Sequence, residues 1–88
     1  MKTLFRKSFE RDLKKIRDRS VLNRIKQVIE EVEAAGSLQE INGLKKMSGT
    51  SNFYRIRIGS YRIGIAVEGS EVEFVRCLNC REIYQYFP

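Results

Sequence analysis

Phe53-Tyr54-Arg55-Ile56-Arg57-Ile58-Gly59-Ser60-Tyr61-Arg62-Ile63-Gly64-Ile65 alternates large apolar residues with arginine on both sides of a Gly-Ser pair. Two alternating runs joined by two turn-forming residues predict a β-hairpin. A two-residue loop at Gly59-Ser60 puts Ile58 opposite Tyr61, Arg57 opposite Arg62, Ile56 opposite Ile63 and Arg55 opposite Gly64. Tyr54, Ile56, Ile58, Tyr61, Ile63, Ile65 and Val67 then share a core-facing side, while Phe53, Arg55, Arg57 and Arg62 share the other. No acidic residue lies between Phe53 and Val67. Like charges directly opposite on a sheet are destabilising, so this second face calls for an anion. Guanidinium groups are planar forks suited to phosphate, and Gly64 opposite Arg55 is expected to leave room for a ligand backbone. The competing reading is that the arginines are solvated or pair with Glu73 across the sheet.

Gly69-Ser70 repeats the turn signal, so the second half of the chain reads as a three-strand antiparallel meander. Upstream, Thr3–Phe5 reads as a short strand. Ser8 is a candidate cap for a helix carrying Phe9, Leu13 and Ile16, and Ser20 for a second carrying Val21, Ile25, Val28, Ile29 and Val32. Gly36 marks that helix's end. Glu30, Glu31 and Glu33 fall late in it, against the macrodipole, so packing is expected to hold it. Residues 36–52, rich in Gly and Ser and anchored by Leu44 and Met47, read as a connecting loop that carries Lys45 and Lys46. At the other end, Ile83 and Phe87 are spaced for one buried helical face, leaving Tyr84 or Tyr86 to stack on an exposed base. The fold class is α+β, one domain over residues 1–88, with two N-terminal helices packed on a small antiparallel sheet.

Eighty-eight residues bury one modest core. Seventeen Lys and Arg against eleven Asp and Glu give a net charge of +6, which points to a polyanion or an acidic protein as partner. Ten of the basic residues lie between Lys2 and Lys26, against three acids there. The absence of His removes His-based triads, His-ligated metals and any nuclease mechanism with imidazole as general acid or base. Cys77-Leu78-Asn79-Cys80 is a C-x-x-C, but no further Cys or His completes a zinc site and no βαβ unit surrounds it. Cys77 is therefore expected to pack on the sheet and Cys80 to be incidental, with no metal and no cofactor. Two cysteines are too few for a disulfide scaffold, and no signal-peptide or membrane-spanning run is present. A cytoplasmic location and no membrane partner are expected.

The two helices, the F-Y-R-I-R-I-G-S-Y-R-I-G-I block and the ending R-E-I-Y-Q-Y-F-P together resemble the RelE/ParE superfamily of bacterial and archaeal toxins, most of all its RelE-type mRNA interferases. The resemblance spans essentially the whole chain. It implies a microbial-ribonuclease-like fold, cleavage of messenger RNA in the ribosomal A site and a cognate acidic antitoxin. Cations on adjacent strands bind the scissile phosphate in the family, and Arg55, Arg57 and Arg62 match them. Tyr84 matches the tyrosine near the C-terminus that stacks or transfers a proton. Lys45, Lys46 and Arg81 are further candidate RNA contacts. Many relatives read H-R-x-x-I-Y where this chain has Asn79-Cys80-Arg81-Glu82-Ile83-Tyr84, and Arg81 falls one position late. Two alternatives share the fold: a ParE-like inhibitor of DNA gyrase, against which the arginine triplet argues, and a non-cleaving RNA- or ribosome-binding module, which the missing His-Arg pair favours.

Overall fold

The hairpin register stands as read from the alternation: Ile58 lies opposite Tyr61, Arg57 opposite Arg62, Ile56 opposite Ile63 and Arg55 opposite Gly64. The computed structural model describes all residues from Met1 to Pro88. In chain order these form β1 (Lys2–Phe5), α1 (Lys7–Lys15), α2 (Arg19–Ala34), one 3-10 turn (Leu38–Glu40), β2 (Leu44–Lys46), β3 (Phe53–Ile58), β4 (Tyr61–Glu68), β5 (Glu71–Asn79) and α3 (Ile83–Tyr86).

The expected meander is the centre of a larger sheet. Five strands run in the order β1-β5-β4-β3-β2, and the sheet is mixed because β1 pairs with β5 in parallel. The expected loop over residues 36–52 contains both the 3-10 turn and β2. Three residues are too few to show a period of two, and β2 forms because it has β3 to pair with. Gly43, at φ 75°, turns the chain into β2 in the left-handed region that favours glycine.

One sheet face and the helices make the main core, where Phe9, Ile16, Ile25 and Val32 pack on Ile56, Ile58, Ile63, Ile65, Val72 and Phe74. The helix starts differ from the serine caps expected. Arg6 precedes α1 without a side-chain cap, and Asp18 caps α2 by accepting hydrogen bonds from Ser20 N (2.9 Å) and Ser20 Oγ (2.6 Å). Those two donors hold the Asp18 carboxyl below its ordinary range. At the other end of α2 the Met1 ammonium donates to the carbonyls of Glu33 (2.9 Å) and Ala35 (3.0 Å). A positive charge thus sits where the late glutamates are unfavourable, so packing is not alone in holding this helix.

Beyond Phe5, α1 takes over the edge of β5. Arg6 N donates to Phe74 O (3.0 Å), Ser8 Oγ to Val75 O (2.6 Å), and Cys77 N to Asp12 Oδ2 (2.9 Å). Ser8 is therefore a strand-edge donor rather than a helix cap. Opposite Gly64 and Ile65 the β5 register skips Val75, a bulge that frees its side chain for the sheet's outer face. There Val75 joins Met47, Ile83 and Phe87 in a second cluster, with Phe53 and Leu78 at its margin. Gly64 is the seat of this cluster: a Cβ on it would stand 2.7 Å from the Phe87 ring. The space expected for a ligand backbone is filled by the chain's own C-terminal aromatic.

Candidate functional site

The outer face beside the Phe87 seat collects cations from three strands. The β2 pairing sets Lys45 opposite Arg55 and Lys46 opposite Tyr54, so Lys45 shares the arginine face while Lys46 sits on the helix-facing side. Arg57 and Arg62 are cross-strand neighbours. The two lysines are thus separated by the pleat, and only Lys45 joins Arg55, Arg57 and Arg62.

α3 brings the aromatic. Ile83 and Phe87 are buried as expected, and Tyr84 between them is 62% exposed. Its hydroxyl accepts a hydrogen bond from Arg55 Nε at 3.1 Å, while Arg55 Nη1 reaches the Gly43 carbonyl at 3.4 Å. The phenol keeps its own proton available to donate or transfer. Arg62 Nη1 donates to the Gly59 and Tyr61 carbonyls, each at 2.8 Å, which holds its guanidinium at the β3–β4 turn. Arg57 is exposed and makes no side-chain hydrogen bond or ion pair. Arg81 is exposed on the β5–α3 connection, where its backbone N donates to Asn79 Oδ1 (3.0 Å). It borders a shallow concavity with Ser60 and Tyr61 rather than touching the arginine cluster.

Pairing of the arginines with Glu73 does not occur. Glu73 binds Arg6 at 3.1 Å, and the other ion pairs are Lys2 with Glu71 and Arg76 with Asp12. Four cations therefore stand together without a carboxylate. Such a surface is complementary to anions, and its forked donors suit phosphate oxygens. Arginine stays protonated throughout the physiological range, so these groups can position and stabilise negative charge but cannot accept a proton.

No group of three or more His, Cys, Asp or Glu side chains is arranged to hold a metal. Cys77 packs under the sheet, where burial, and secondarily the Asp12 carboxylate, pushes its thiol up to about 12, so it remains a protonated, inert core group.

Asp12 is a residue that sequence reading missed. It is 5% exposed and accepts from Arg76 Nε (2.8 Å), Arg76 Nη2 (3.2 Å) and Cys77 N (2.9 Å). The available signal was its place in the apolar stripe Phe9, Leu13, Ile16, where a carboxylate is tolerated only with a partner.

Residues 4–84 match the family described as the ParE toxin of the type II toxin-antitoxin system, parDE. The sequence is similar to Toxin RelE3 of Methanocaldococcus jannaschii, at 46% identity over 89 aligned positions that cover all of both chains. Its fold is similar to that in the crystal structure of the RelB-RelE antitoxin-toxin complex from Methanococcus jannaschii, with a TM-score of 0.82 and 45% identity over 97% of this chain and 99% of that one. The YoeB dimer from Staphylococcus aureus shares the fold at a TM-score of 0.72 and 18% identity, over 89% of this chain and 94% of that one.

Proposed function

The chain belongs to the ParE toxin family of type II toxin-antitoxin systems, and on that premise we propose that it is a toxin whose arginine face takes messenger RNA on the ribosome and cleaves it. The observation that carries this reading is the carboxylate-free cluster of Lys45, Arg55, Arg57 and Arg62 with the Tyr84 hydroxyl 3.1 Å from Arg55 Nε. In such a reaction the ribose 2′-oxygen attacks the adjacent phosphate, charge builds on the non-bridging oxygens, and the bond to the next nucleotide's 5′-oxygen breaks, leaving a 2′,3′-cyclic phosphate and a 5′-hydroxyl that has taken up a proton. Preorganised guanidinium donors stabilise that charge and orient the phosphate. The proton of the 2′-OH has to leave, and Arg55 cannot take it. Tyr84 and Lys45 are the groups of this face able to exchange protons, with a ribosomal group as the remaining source.

Primer extension on a messenger RNA in a translating extract tests this directly, with wild type beside Arg62→Ala and with the same RNA free of ribosomes. Breaks that need ribosomes and vanish in the variant support the reading. Arrest without breaks would mean a non-cleaving ribosome binder, which the Asn79-Cys80 departure and the absence of any imidazole favour. No effect on translation would turn attention to gyrase supercoiling, the activity implied by the ParE branch. The partner inferred from the +6 charge is an acidic antitoxin, in line with the antitoxin bound in the RelB-RelE complex. Co-expression with the neighbouring open reading frame should yield a complex stable through purification.

A further inference from the structure

A groove lies at the end of β5, between the helix side of the sheet, where Tyr61 packs, and α3. α1 and α3 flank it, and its floor is the edge of β5 from Cys77 to Asn79, past the end of β1 at the Phe5–Phe74 pair and with Cys77 N already held by Asp12. It holds about 320 Å³, at the small end of ligand clefts. Tyr61 from β4 and Tyr86 from α3 line it together with Lys15, Arg76, Asn79 and one exposed carboxylate, Glu82. Tyr86 is 56% exposed, and neither tyrosine ring packs against another aromatic ring.

The polar groups have donors to spare. Asp12 takes one Nε and one Nη of Arg76, leaving the rest of the guanidinium uncommitted. Asn79 uses its Oδ1 to accept from Arg81 N, so its amide hydrogens remain free. Lys15 is in no ion pair. A second concavity, bordered by Ser60, Tyr61 and Arg81, continues the groove to the β3–β4 turn, where the Arg62 guanidinium rests.

We propose that this groove holds one unpaired nucleobase of the RNA strand whose phosphates lie on the arginine face, stacked on Tyr86 and Tyr61. Asn79 and Arg76 bond its edge, and Lys15 meets a flanking phosphate. The proposal rests on the RNA-binding reading above and adds a base subsite to it. Aromatic faces beside cations at the end of a phosphate track are what single-stranded RNA recognition uses. An added peptide strand fits the groove less well. The open edge is three residues long, and its Cys77 N–H is already bonded to Asp12.

The test uses eight-nucleotide, 2′-O-methylated and therefore uncleavable RNA, with 2-aminopurine placed at each position in turn. For wild type, one position should lose fluorescence on binding through stacking. Tyr86→Ala should restore that signal and weaken affinity about 5- to 150-fold, the loss of one base stack, with an unchanged salt slope. Tyr86→Phe should retain both the quenching and the affinity. Lys15→Ala, outside α3, should lower the slope of log K against log salt by about 0.7, as one phosphate contact does. If no position is selectively quenched, or if Tyr86→Ala binds as wild type while Arg57→Ala still lowers the salt slope, the groove proposal is overturned and the arginine face stands. Wild-type protein that binds the RNA without salt dependence, or fails to bind it, overturns the groove proposal, while the ribosome-dependent reading stands or falls on the primer-extension assay.

Discussion

Gly64→Ala adds one methyl group where the fold and the candidate site meet. The ideal Cβ would lie 2.7, 2.7 and 2.8 Å from three carbons of the Phe87 ring. Carbon pairs settle at about 3.5–4.0 Å, so the ring must withdraw by about 1 Å. It has little room to do so, because Phe87 is 3% exposed, packs in the Met47–Val75–Ile83 cluster and meets Phe53 edge-on at 5.4 Å. Overpacking of this kind costs about 1–3 kcal/mol. The ceiling is undocking of α3, which forfeits the burial of Ile83 and Phe87, about 1.5–3 kcal/mol each, offset in part by the chain entropy regained. The two routes are close in free energy, so α3 should loosen while the domain stays folded. Hydrogen exchange reads this at the Tyr86 and Phe87 amides, which donate to Glu82 O and Ile83 O. Their protection should fall at least tenfold, and urea unfolding should show a loss of about 1–3 kcal/mol. Tyr84 leaves Arg55 with the helix, so ribosome-dependent cleavage should drop in parallel. In the Gly64→Ala background, Phe87→Ala should cost less than in wild type, with a coupling of about 0.5–3 kcal/mol. Wild-type protection and stability in Gly64→Ala would refute the contact between Gly64 and Phe87 as the anchor of α3.

Asp12→Asn sets an amide NH2 among donors from Arg76 and Cys77. Breaking a buried pair costs about 3–5 kcal/mol, but Arg76 is 26% exposed and recovers some hydration, so urea melts should show about 2–4 kcal/mol lost. The Cys77 thiol is pushed up to about 12 by burial, against a usual value near 9, so the folded state keeps a proton that the unfolded chain gives up. Stability should therefore be intact below about pH 9 and fall between pH 9 and 12 at up to about 1.4 kcal/mol per unit, a component missing from the pH profile of Cys77→Ala. Lys45→Ala should weaken uncleavable RNA and lower the salt slope by about 0.7, whereas Lys46→Ala, on the other side of the pleat, should leave both within error. Arg57→Thr removes one member of the like-charged Arg57–Arg62 pair and should raise stability by about 0.2–1 kcal/mol while lowering RNA affinity; equal or lower stability would mean the pair is already compensated.

The hairpin was legible because two strands and a Gly-Ser turn leave one register in which every isoleucine is buried and every arginine is not. The same alternation placed the arginine face before any relative was considered. β2 was missed and β1, though read as a strand, was not placed in the sheet, for one shared reason: each is three or four residues long and is fixed by the longer strand that pairs with it. Lys45 and Lys46 could not be told apart without that pairing, since only a register assigns adjacent residues to opposite faces. The role of Gly64 was misread because a missing side chain signals close approach without saying what approaches. Asp12 was hidden by distance along the chain. Its partners Arg76 and Cys77 lie 64 and 65 residues away, so its place in the apolar stripe of α1 signals a partner without saying which.

The outer face of the sheet divides into zones that explain why the candidate site tolerates its own repulsion. At the β1–β5 end, Glu71 and Glu73 are matched by Lys2 and Arg6, so acids that could have drifted toward the arginines are already paired. In the middle, the Phe87 cluster fills the face with apolar side chains and separates the two ends. The β2–β3–β4 end is left with cations alone. Their mutual repulsion is small in water, about 1 kcal/mol for a pair 4 Å apart, because solvent screens it. An RNA phosphate that replaces this solvent meets charges already gathered and held, Arg55 by Tyr84 and Gly43, Arg62 by the turn carbonyls. Positioning these groups costs little at the moment of binding, because the core, the bulge at Val75 and the docking of α3 have already supplied the order. The exposed Arg57 is the exception: it has no side-chain partner, so phosphate binding must order it.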